Sequence, residues 1–352
     1  MYEKRGTLGQ GAFSTVVLID WEGGHAALKT YDREKSREKA KFILGEKEVL
    51  SRISQGVGGR YVVNLLDTAK DDVNLYFVME AALGGPLHKH MNQMHRADWP
   101  PQLALRYGAE VASALMHLAR HGCLHRDVKA SNCLLTADGH VKLCDFGSSR
   151  VLFEAAAWSS VLKEGPWRAP KAETLVGTYH MIAPEMISRV GYTLSADWWS
   201  LGALLYEMVA KVPAFPRFVG RSLSDATDFD PDEYEVHFCD AYTHSFQGCM
   251  ASIDACAALK SDTCALISSL LTVRASSRAS PWTFEDMQRN PCWATAGVDW
   301  VAIEAGTAPP PNATFDRRLG ALDLVANDGD RGEGKEGDPA LSKDEQDLFA
   351  TY

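Results

Sequence analysis

Five short motifs follow one another in a fixed order along this chain of 352 residues, and their combined spacing constrains its fold more than any other feature. The first four are a glycine-rich segment at Gly9–Val16, an Ala-Leu-Lys triplet that ends at Lys29, a His-Arg-Asp segment at His125–Asn132, and Asp-Phe-Gly at Asp145–Gly147. Ala-Pro-Glu at Ala183–Glu185 closes the series. Each motif alone is a common chance match, but the complete ordered set is not.

The glycine-rich segment has the residues of a loop that binds phosphate. Gly9 and Gly11 carry no Cβ, so the backbone can fold closely over a triphosphate and direct its amides at phosphate oxygens. Ser14 stands where this pattern usually has a third glycine. The loop by itself is therefore a weak indication of nucleotide binding.

Hydrophobic runs before Lys29 predict the structure around this lysine. Val16–Ile19 and Ala26–Leu28 are apolar and flank two consecutive glycines, Gly23 and Gly24. This pattern predicts two antiparallel strands that turn at the glycine pair. Lys29 then lies on the second strand.

The stretch from 36 to 54 has the spacing of an amphipathic helix. One side of that helix carries Ile43, Leu44, Glu46 and Leu50, with Lys and Glu elsewhere. Taken alone, Glu46 is equally well explained as one of several solvated helix charges. The presence of Lys29 upstream favours an ion pair between the two.

Taken together, the motifs resemble the signature of eukaryotic protein kinases, which combine a glycine-rich loop, a strand lysine, a catalytic loop and a metal-binding Asp. The resemblance covers residues 6 to 293. It implies an α+β, two-lobed protein kinase fold, with a small lobe at 1–79 made of an antiparallel sheet and the helix called αC. A hinge and a mainly helical large lobe would follow at 80–293. Residues 294–352 would form a C-terminal tail, partly disordered.

The resemblance also implies catalytic roles. Lys29 contacts the α and β phosphates of ATP, and Glu46 holds that lysine. Asp127 accepts the proton of a substrate hydroxyl or orients that hydroxyl, while Lys129 neutralises charge on the transferred group. Thr178 bonds Asp127 and Lys129 directly.

The implied cofactors are ATP and Mg²⁺. Asn132 and Asp145 would hold the metal, a hard cation that prefers oxygen ligands. Adenine would lie in an apolar slot between Val16, Ala27 and Leu134 and bond to the hinge backbone. The predicted nucleotide-binding residues are Gly9, Gly11, Ser14, Val16, Ala27, Lys29, Met79, Glu80, Ala82 and Leu134.

Other motif residues have structural roles in this family. His125 packs under Phe146 and is not a base. Asp197 is expected to accept hydrogen bonds from the catalytic-loop backbone, and Arg278 is expected to pair with Glu185. Cys144 would lie at the floor of the nucleotide site, where a buried and inert thiol is the simplest interpretation.

The end of the chain resembles one kinase group, the AGC kinases. Asn290–Trp293, Val298–Ile303 and Pro309–Pro311 are similar to the start of the AGC tail, where a Trp-containing segment leads into a proline-rich strap. Within that group the chain is most similar to the phosphoinositide-dependent protein kinases. The glycine-rich loop with Ser14 and the segment Glu46–Arg52 carry that similarity.

The sequence departs from the AGC pattern in three places. Pro86 and Ser131 stand where AGC kinases usually carry glutamates that contact ribose or substrate arginines. Without these carboxylates, a preference for strongly basic substrates is not expected. The segment from 145 to 185 is longer than usual, and Trp158 and Trp167 lie in its extra length.

Thr174 is the predicted activating phosphosite. It lies three residues before Gly177, where AGC kinases carry their activation-loop phosphate, and a phosphate there could pair with Arg126. The alternative is an exposed loop hydroxyl with no such role.

Two aromatic residues at the end of the chain, Phe349 and Tyr352, resemble a pair with which several AGC tails dock on the small lobe. The pocket would be lined by Ile43, Lys47, Thr68 and Leu75. Two alternatives stay open, because phosphoinositide-dependent kinases leave this pocket free for substrate tails and because chain termini often fray.

Composition limits the remaining possibilities. The net charge of −10 argues against nucleic acid as a partner. Eight cysteines without a CxxC pair, and an N-terminus without a signal-peptide run, predict reduced thiols in a cytoplasmic protein. The acidic stretch 327–347 is predicted to be a disordered linker. The apolar run Asp197–Met208 is too short to be a transmembrane segment.

Three function classes are compatible with this sequence. The first is an active Ser/Thr kinase whose protein substrates can include other kinases. The second is a catalytically silent scaffold of the same fold, and the third is a phosphotransferase that acts on a substrate other than protein. The first is favoured because every residue that the chemistry requires is present.

Overall fold

The computed structural model describes residues 3–11, 13–54, 59–94, 99–165, 169–188, 191–216, 219–220, 257–278 and 283–312. In these residues a small lobe built on a sheet is followed by a large, mainly helical lobe. The predicted two-lobed α+β fold is confirmed.

The small lobe consists of one antiparallel sheet and one helix. Its strands are β1 (Lys4–Gln10), β2 (Ser14–Trp21), β3 (Gly24–Asp32), β4 (Leu65–Lys70) and β5 (Asn74–Glu80). Their spatial order is β1-β2-β3-β5-β4. Helix α1 (Ala40–Ile53), the predicted αC, packs its apolar face into the same core as Tyr31 and Phe77 of the sheet.

The turn between β2 and β3 lies one residue earlier than predicted. Trp21 pairs with Gly24, so the two turn residues are Glu22 and Gly23 and not the two glycines. Both have positive φ, 47° and 80°, which is the backbone of a type I′ hairpin. Gly24 is already the first residue of β3, which is why the prediction was wrong.

Helix α1 also begins later than the predicted residue 36. The carboxylate of Asp32 accepts the backbone N–H groups of Glu34 and Lys35 at 3.1 and 3.0 Å, and this local turn competes with a helix. A short 3₁₀ turn at Arg37–Lys39 then leads into the α-helix. The predicted buried face is otherwise present, except that Leu44 is only half-buried.

The described part of the large lobe is built around two long helices that pack on each other, α3 and α6. The helices are α2 (Leu87–Gln93), α3 (Pro101–Arg120), α4 (Trp158–Glu164), α5 (Pro184–Ile187), α6 (Ser195–Ala210), α7 (Ala257–Leu270), α8 (Phe284–Arg289), α9 (Pro291–Thr295) and α10 (Trp300–Ala305). Short strands β6 (Gly85–Pro86), β7 (Cys123–Leu124), β8 (Cys133–Leu135), β9 (Val141–Leu143) and β10 (Arg150–Val151) form two small sheets, β6-β8-β9 and β7-β10.

Helix α6 contains the predicted apolar run, and it is a core helix. Every one of its residues is buried except Glu207, which is half-buried. A helix that is apolar on all sides is stable in water only when it is surrounded by other elements. No helix among the described residues is both long and apolar enough to cross a membrane.

Three predicted structural contacts are confirmed. The ring of His125 lies edge-on against Phe146, with 5.1 Å between ring centroids. Arg278 donates two hydrogen bonds to the carboxylate of Glu185, at 2.7 and 2.9 Å, inside the large lobe. Asp197 accepts the backbone N–H groups of the catalytic loop, as described below.

The start of the predicted tail packs on the large lobe. Trp300 of α10 lies edge-on against Trp293 of α9, with 5.5 Å between ring centroids, and both are buried. The remaining predictions for this region, the linker at 327–347 and the docking of Phe349 and Tyr352, lie outside the described residues. Trp167 also lies outside them.

Candidate active site

A cavity of about 400 Å³ opens between the two lobes, and it contains every residue that was predicted to bind the nucleotide. These residues are Gly9, Gly11, Ser14, Val16, Ala27, Lys29, Met79, Glu80, Ala82 and Leu134. Leu8, Val63 and His88 also line the cavity and were missed. Leu8 could have been found, because it directly precedes the glycine-rich segment on an alternating strand.

The size and lining of this cavity fit ATP. Apolar side chains cover one part of the wall and glycine backbone another, while Lys29 and Asp145 supply charge at one end. Such a combination of an apolar slot with a few placed polar groups is typical of nucleotide sites. Cys144 also lines the cavity, and burial raises the pKa of its thiol well above the ordinary value.

Lys29 and Glu46 form the predicted buried ion pair. The Nζ atom of Lys29 lies 2.7 Å from Oε1 of Glu46, and Glu46 is only 1 % exposed. Burial acts to lower the pKa of Lys29, but Glu46 and other neighbouring groups outweigh it and hold the pKa well above the ordinary value. Lys29 is therefore charged at neutral pH, as a contact to phosphate requires.

Asp145 faces the cavity as a half-exposed carboxylate. Its φ of 62° is unusual for a residue other than glycine, and strained backbone of this kind is often found at functional sites. Desolvation acts to raise the pKa of Asp145, but Lys29, His125, the amide of Gly147 and Lys129 outweigh it and hold the pKa below the ordinary value. Asp145 is therefore ionised.

The predicted metal pair fits magnesium in chemistry. Asp145 offers charged carboxylate oxygens and Asn132 an amide oxygen, the hard ligands that Mg²⁺ prefers. The described residues hold no group of three His, Cys, Asp or Glu side chains that could bind a metal without other ligands. A metal at this pair would therefore take its other oxygens from phosphate and water, which is usual for Mg²⁺.

Asp127, Lys129 and Thr178 form a closed triangle of contacts. The hydroxyl of Thr178 donates to Oδ1 of Asp127 at 2.7 Å. Lys129 donates to Oγ1 of Thr178 at 2.8 Å, and its Nζ lies 2.8 Å from Oδ2 of Asp127. The amide of Asn132 also donates to Asp127, at 3.0 Å from Oδ2. Thr178, 51 positions away in the sequence, and the nearby Lys129 and Asn132 thus fix the orientation of the Asp127 carboxylate.

The backbone of this loop is held from below by Asp197 on α6. Its two carboxylate oxygens accept the N–H groups of His125 and Arg126 at 2.7 and 2.8 Å, in a fully buried position. Burial raises the pKa of Asp197 despite these bonds. Arg126 has a positive φ of 70°, so the loop is strained at the residue that precedes Asp127.

Thr174 is exposed, and its link to Arg126 runs through a tyrosine that the sequence did not indicate. The hydroxyl of Tyr192 donates to the carbonyl oxygen of Thr174 at 2.5 Å and accepts a bond from Arg126 at 2.9 Å. Arg126 also donates to the carbonyl of Ser148. The Tyr192 hydroxyl thus bridges Arg126 and the backbone of Thr174, the two residues between which a phosphate contact is predicted.

The extra length of the segment after Asp145 is partly folded. It includes helix α4, whose Trp158 stacks on Phe153 with 6.4 Å between ring centroids. Arg52 of α1 donates to both carboxylate oxygens of Glu154 at 2.8 Å. This two-point contact joins α1 to the start of the extra segment.

Comparison with known proteins agrees with this geometry. Residues 2–291 match the protein kinase domain family. The chain belongs to the protein kinase family. The match covers the small lobe, the cavity and the large lobe, including all five motifs.

Several curated Ser/Thr kinases are similar to this kinase domain. Serine/threonine-protein kinase AtPK2/AtPK19 of Arabidopsis thaliana is 32% identical over 61% of this chain and 42% of its own length. Human 3-phosphoinositide-dependent protein kinase 1 is 32% identical over 59% of this chain and 35% of its own length. Human LATS2 is 33% identical over 61% and 23%. The chain thus spans less than half the length of each, and the predicted similarity to AGC kinases is confirmed.

Gly177 offers a test of how tightly the kinase site is packed. Its φ is +104°, and a Cβ there would lie 2.3 Å from the carbonyl oxygen of Arg126. We expect Gly177→Ala to lower the free energy of unfolding by about 2 to 4 kcal/mol, because both the backbone and the contact become strained. Chemical denaturation measures this change.

Gly45→Ala is the matched control, since Gly45 lies within α1 and has open space around it. Alanine favours a helix interior, so this variant should gain about 0.5 to 1 kcal/mol. Equal effects of the two substitutions would contradict the close approach of Gly177 to Arg126.

Proposed function

We propose that this chain is an ATP-dependent Ser/Thr protein kinase that transfers the γ-phosphoryl group of ATP to protein hydroxyls. The observation that carries the proposal is the orientation of Asp127 by Thr178, Lys129 and Asn132, beside a cavity that fits ATP. Each of these residues matches a role that phosphoryl transfer requires.

The proposed reaction is an in-line displacement at the γ-phosphorus. The substrate hydroxyl oxygen forms a bond to phosphorus, the bond from phosphorus to the bridging oxygen of ADP breaks, and the hydroxyl proton passes to Asp127. Lys129 lies beside Asp127 and offsets negative charge on the group in transit. Lys29 holds the α and β phosphates, and Glu46 keeps Lys29 in position.

Asn132 and Asp145 are the proposed metal ligands. When bound, Mg²⁺ would neutralise phosphate charge and orient the triphosphate. The chain itself keeps Asp145 ionised, because Lys29 and the other donors around it lower its pKa. Asp145 therefore needs no deprotonation before it can bind the metal.

Protein hydroxyls are favoured as acceptors because the similar proteins are Ser/Thr kinases by name. The geometry argues against the scaffold alternative, because the side-chain contacts of Lys29 and Asp127 described above are formed. Other kinases are included among the proposed substrates because of the sequence resemblance to phosphoinositide-dependent protein kinases. Pro86 and Ser131 both line the cavity without a carboxylate, which argues against strongly basic substrates.

Two further parts of the proposal rest on the sequence. A cytoplasmic location agrees with the five described cysteines, all of which are free. We also propose that Phe349 and Tyr352 dock on the small lobe of the same chain. Of the residues proposed to line that pocket, Ile43 and Leu75 are buried in the described structure.

Asparagine substitutions at the two aspartates separate their roles. Asp127→Asn should reduce phosphate transfer by about 10²- to 10⁴-fold and leave ATP affinity nearly unchanged, because the lost carboxylate acts on the acceptor. Asp145→Asn should also weaken Mg²⁺-dependent ATP binding. A transfer assay on Ser, Thr and Tyr peptides, together with nucleotide titration, measures both effects.

Asp138→Asn is the control, because Asp138 lies in the loop between β8 and β9 and bonds only locally to Thr136. It should leave transfer unchanged. Full activity of Asp127→Asn would show that the assigned roles are wrong, and a wild type that transfers no phosphate would overturn the proposed function.

Thr174 remains the proposed phosphosite. Its side chain is exposed, and Arg126 and Arg150 both lie close enough to Tyr192 to oppose the rise that burial causes in the pKa of that phenol. Once the Tyr192 hydroxyl moves aside, a phosphate on Thr174 would therefore lie near both Arg126 and Arg150.

We expect mass spectrometry of the active enzyme to find phosphate on Thr174, and Thr174→Ala to lower kcat/KM by about tenfold or more, the loss of a single charge-assisted contact. Thr307→Ala, at an exposed position after α10, is the control. An unmodified Thr174 in active enzyme, with an unimpaired alanine variant, would remove this part of the proposal.

A further inference from the structure

Glu46 has two hydrogen-bond donors, and only one of them is a kinase motif residue. Lys29 contacts Oε1 at 2.7 Å, and the hydroxyl of Tyr31 donates to Oε2 at 2.5 Å. Of the residues that the structure describes, Tyr31 alone donates to Oε2. The five motifs do not include Tyr31, and its apolar ring on an alternating strand predicts only a core residue.

Strand geometry explains why both donors reach the same carboxylate. Lys29 and Tyr31 are two residues apart on β3, so their side chains leave the same face of the sheet, towards α1. Glu46 projects from α1 between them. The contact therefore joins the strand to the helix at two points.

The ring of Tyr31 is itself fixed by packing. It lies edge-on against Phe77 of β5, with 5.7 Å between ring centroids, and it is 6 % exposed. Lys29 lies 5.1 Å from the ring centroid. Burial and Glu46 raise the pKa of the Tyr31 phenol, so it stays protonated and remains a donor.

The second donor affects where Lys29 can go. Nζ of Lys29 lies 3.5 Å from Oδ1 of Asp145, so this aspartate competes with Glu46 for the lysine. If Glu46 moved outwards with α1, Lys29 would pair with Asp145 and would no longer contact the phosphates of ATP. A bond that keeps Oε2 of Glu46 in place therefore also protects the position of Lys29.

We infer that Tyr31 is a positioning residue that holds α1 inwards through the second carboxylate oxygen of Glu46. This inference rests on the proposed kinase function. It concerns the chain's own side chains: a buried carboxylate oxygen needs a donor, and Tyr31 supplies it.

Tyr31→Phe tests the inference with the loss of a single oxygen atom. The ring and its packing on Phe77 are retained, but Oε2 of Glu46 is left buried without a donor. We expect kcat/KM to fall by about tenfold, and the backbone amides of α1 to exchange hydrogen faster.

The matched control is Tyr76→Phe in the same sheet. Tyr76 donates to the carboxylate of Asp71 at 2.6 Å, and it pairs with Thr30, so its side chain lies on the face of the sheet opposite to Tyr31. This variant loses the same kind of bond, and it should leave both kcat/KM and the exchange of α1 unchanged.

A double-mutant cycle shows whether Tyr31 acts through Glu46. In a Glu46→Ala background the acceptor is gone, so adding Tyr31→Phe should change kcat/KM by less than about twofold. A full tenfold effect in that background would overturn the inference. So would a Tyr31→Phe enzyme that matches Tyr76→Phe in activity and exchange.

Hydrogen exchange keeps the test independent of the proposed function. If the wild-type chain transfers no phosphate, the proposed function fails. The exchange of α1 in Tyr31→Phe still decides the inference in that case: faster exchange than in Tyr76→Phe supports it, and unchanged exchange overturns it.

Discussion

The carboxylate of Asp197 is the contact on which the active site depends. It is fully buried on α6 and accepts the backbone N–H groups of His125 and Arg126. These two bonds stabilise a strained backbone at Arg126, and the strained carbonyl of Arg126 is the atom that Gly177 approaches. Thr178 follows Gly177 and donates to Asp127. One buried charge in the core thus sets the orientation of the catalytic carboxylate.

A second buried carboxylate, that of Glu46, organises the small lobe in a similar way. It accepts hydrogen bonds from Lys29 and Tyr31, whose side chains leave one face of β3. On the same helix, Arg52 donates to Glu154 of the segment after Asp145. A buried carboxylate is costly unless its oxygens are fully paired, so Asp197 and Glu46 each favour a single arrangement of their donors. Between the lobes, Oδ1 of Asp145 lies 3.5 Å from Nζ of Lys29.

The sequence was sufficient to predict the parts of the site that recur as local patterns. All ten predicted nucleotide-binding residues line the cavity, and Lys29 reaches Glu46. The structure brings these residues together because the motifs carry their own spacing. Two predictions were wrong for local reasons. Asp32 accepts backbone N–H groups before α1 and delays the start of that helix. Glu22 takes a positive φ, so the turn predicted at Gly23 and Gly24 lies one residue earlier.

The contacts that the sequence did not reveal are those between residues that no short pattern connects. Arg52 and Glu154 are 102 positions apart, and Tyr192 lies 66 positions from Arg126. Tyr31 was hidden for a different reason, because an aromatic residue at an apolar strand position has no signal for its hydroxyl. Each requires the tertiary structure to bring a polar atom to a partner.

The most direct test of this account is Asp197→Asn. An amide of the same shape has one oxygen to accept with, so one of the two buried N–H groups would lose its partner, at a cost of about 1 to 3 kcal/mol. We expect phosphate transfer to fall by about ten- to a hundredfold while ATP affinity is nearly unchanged, since His125 and Arg126, whose N–H groups Asp197 accepts, do not line the nucleotide cavity. Wild-type transfer by Asp197→Asn would contradict the claim that this carboxylate sets the catalytic loop.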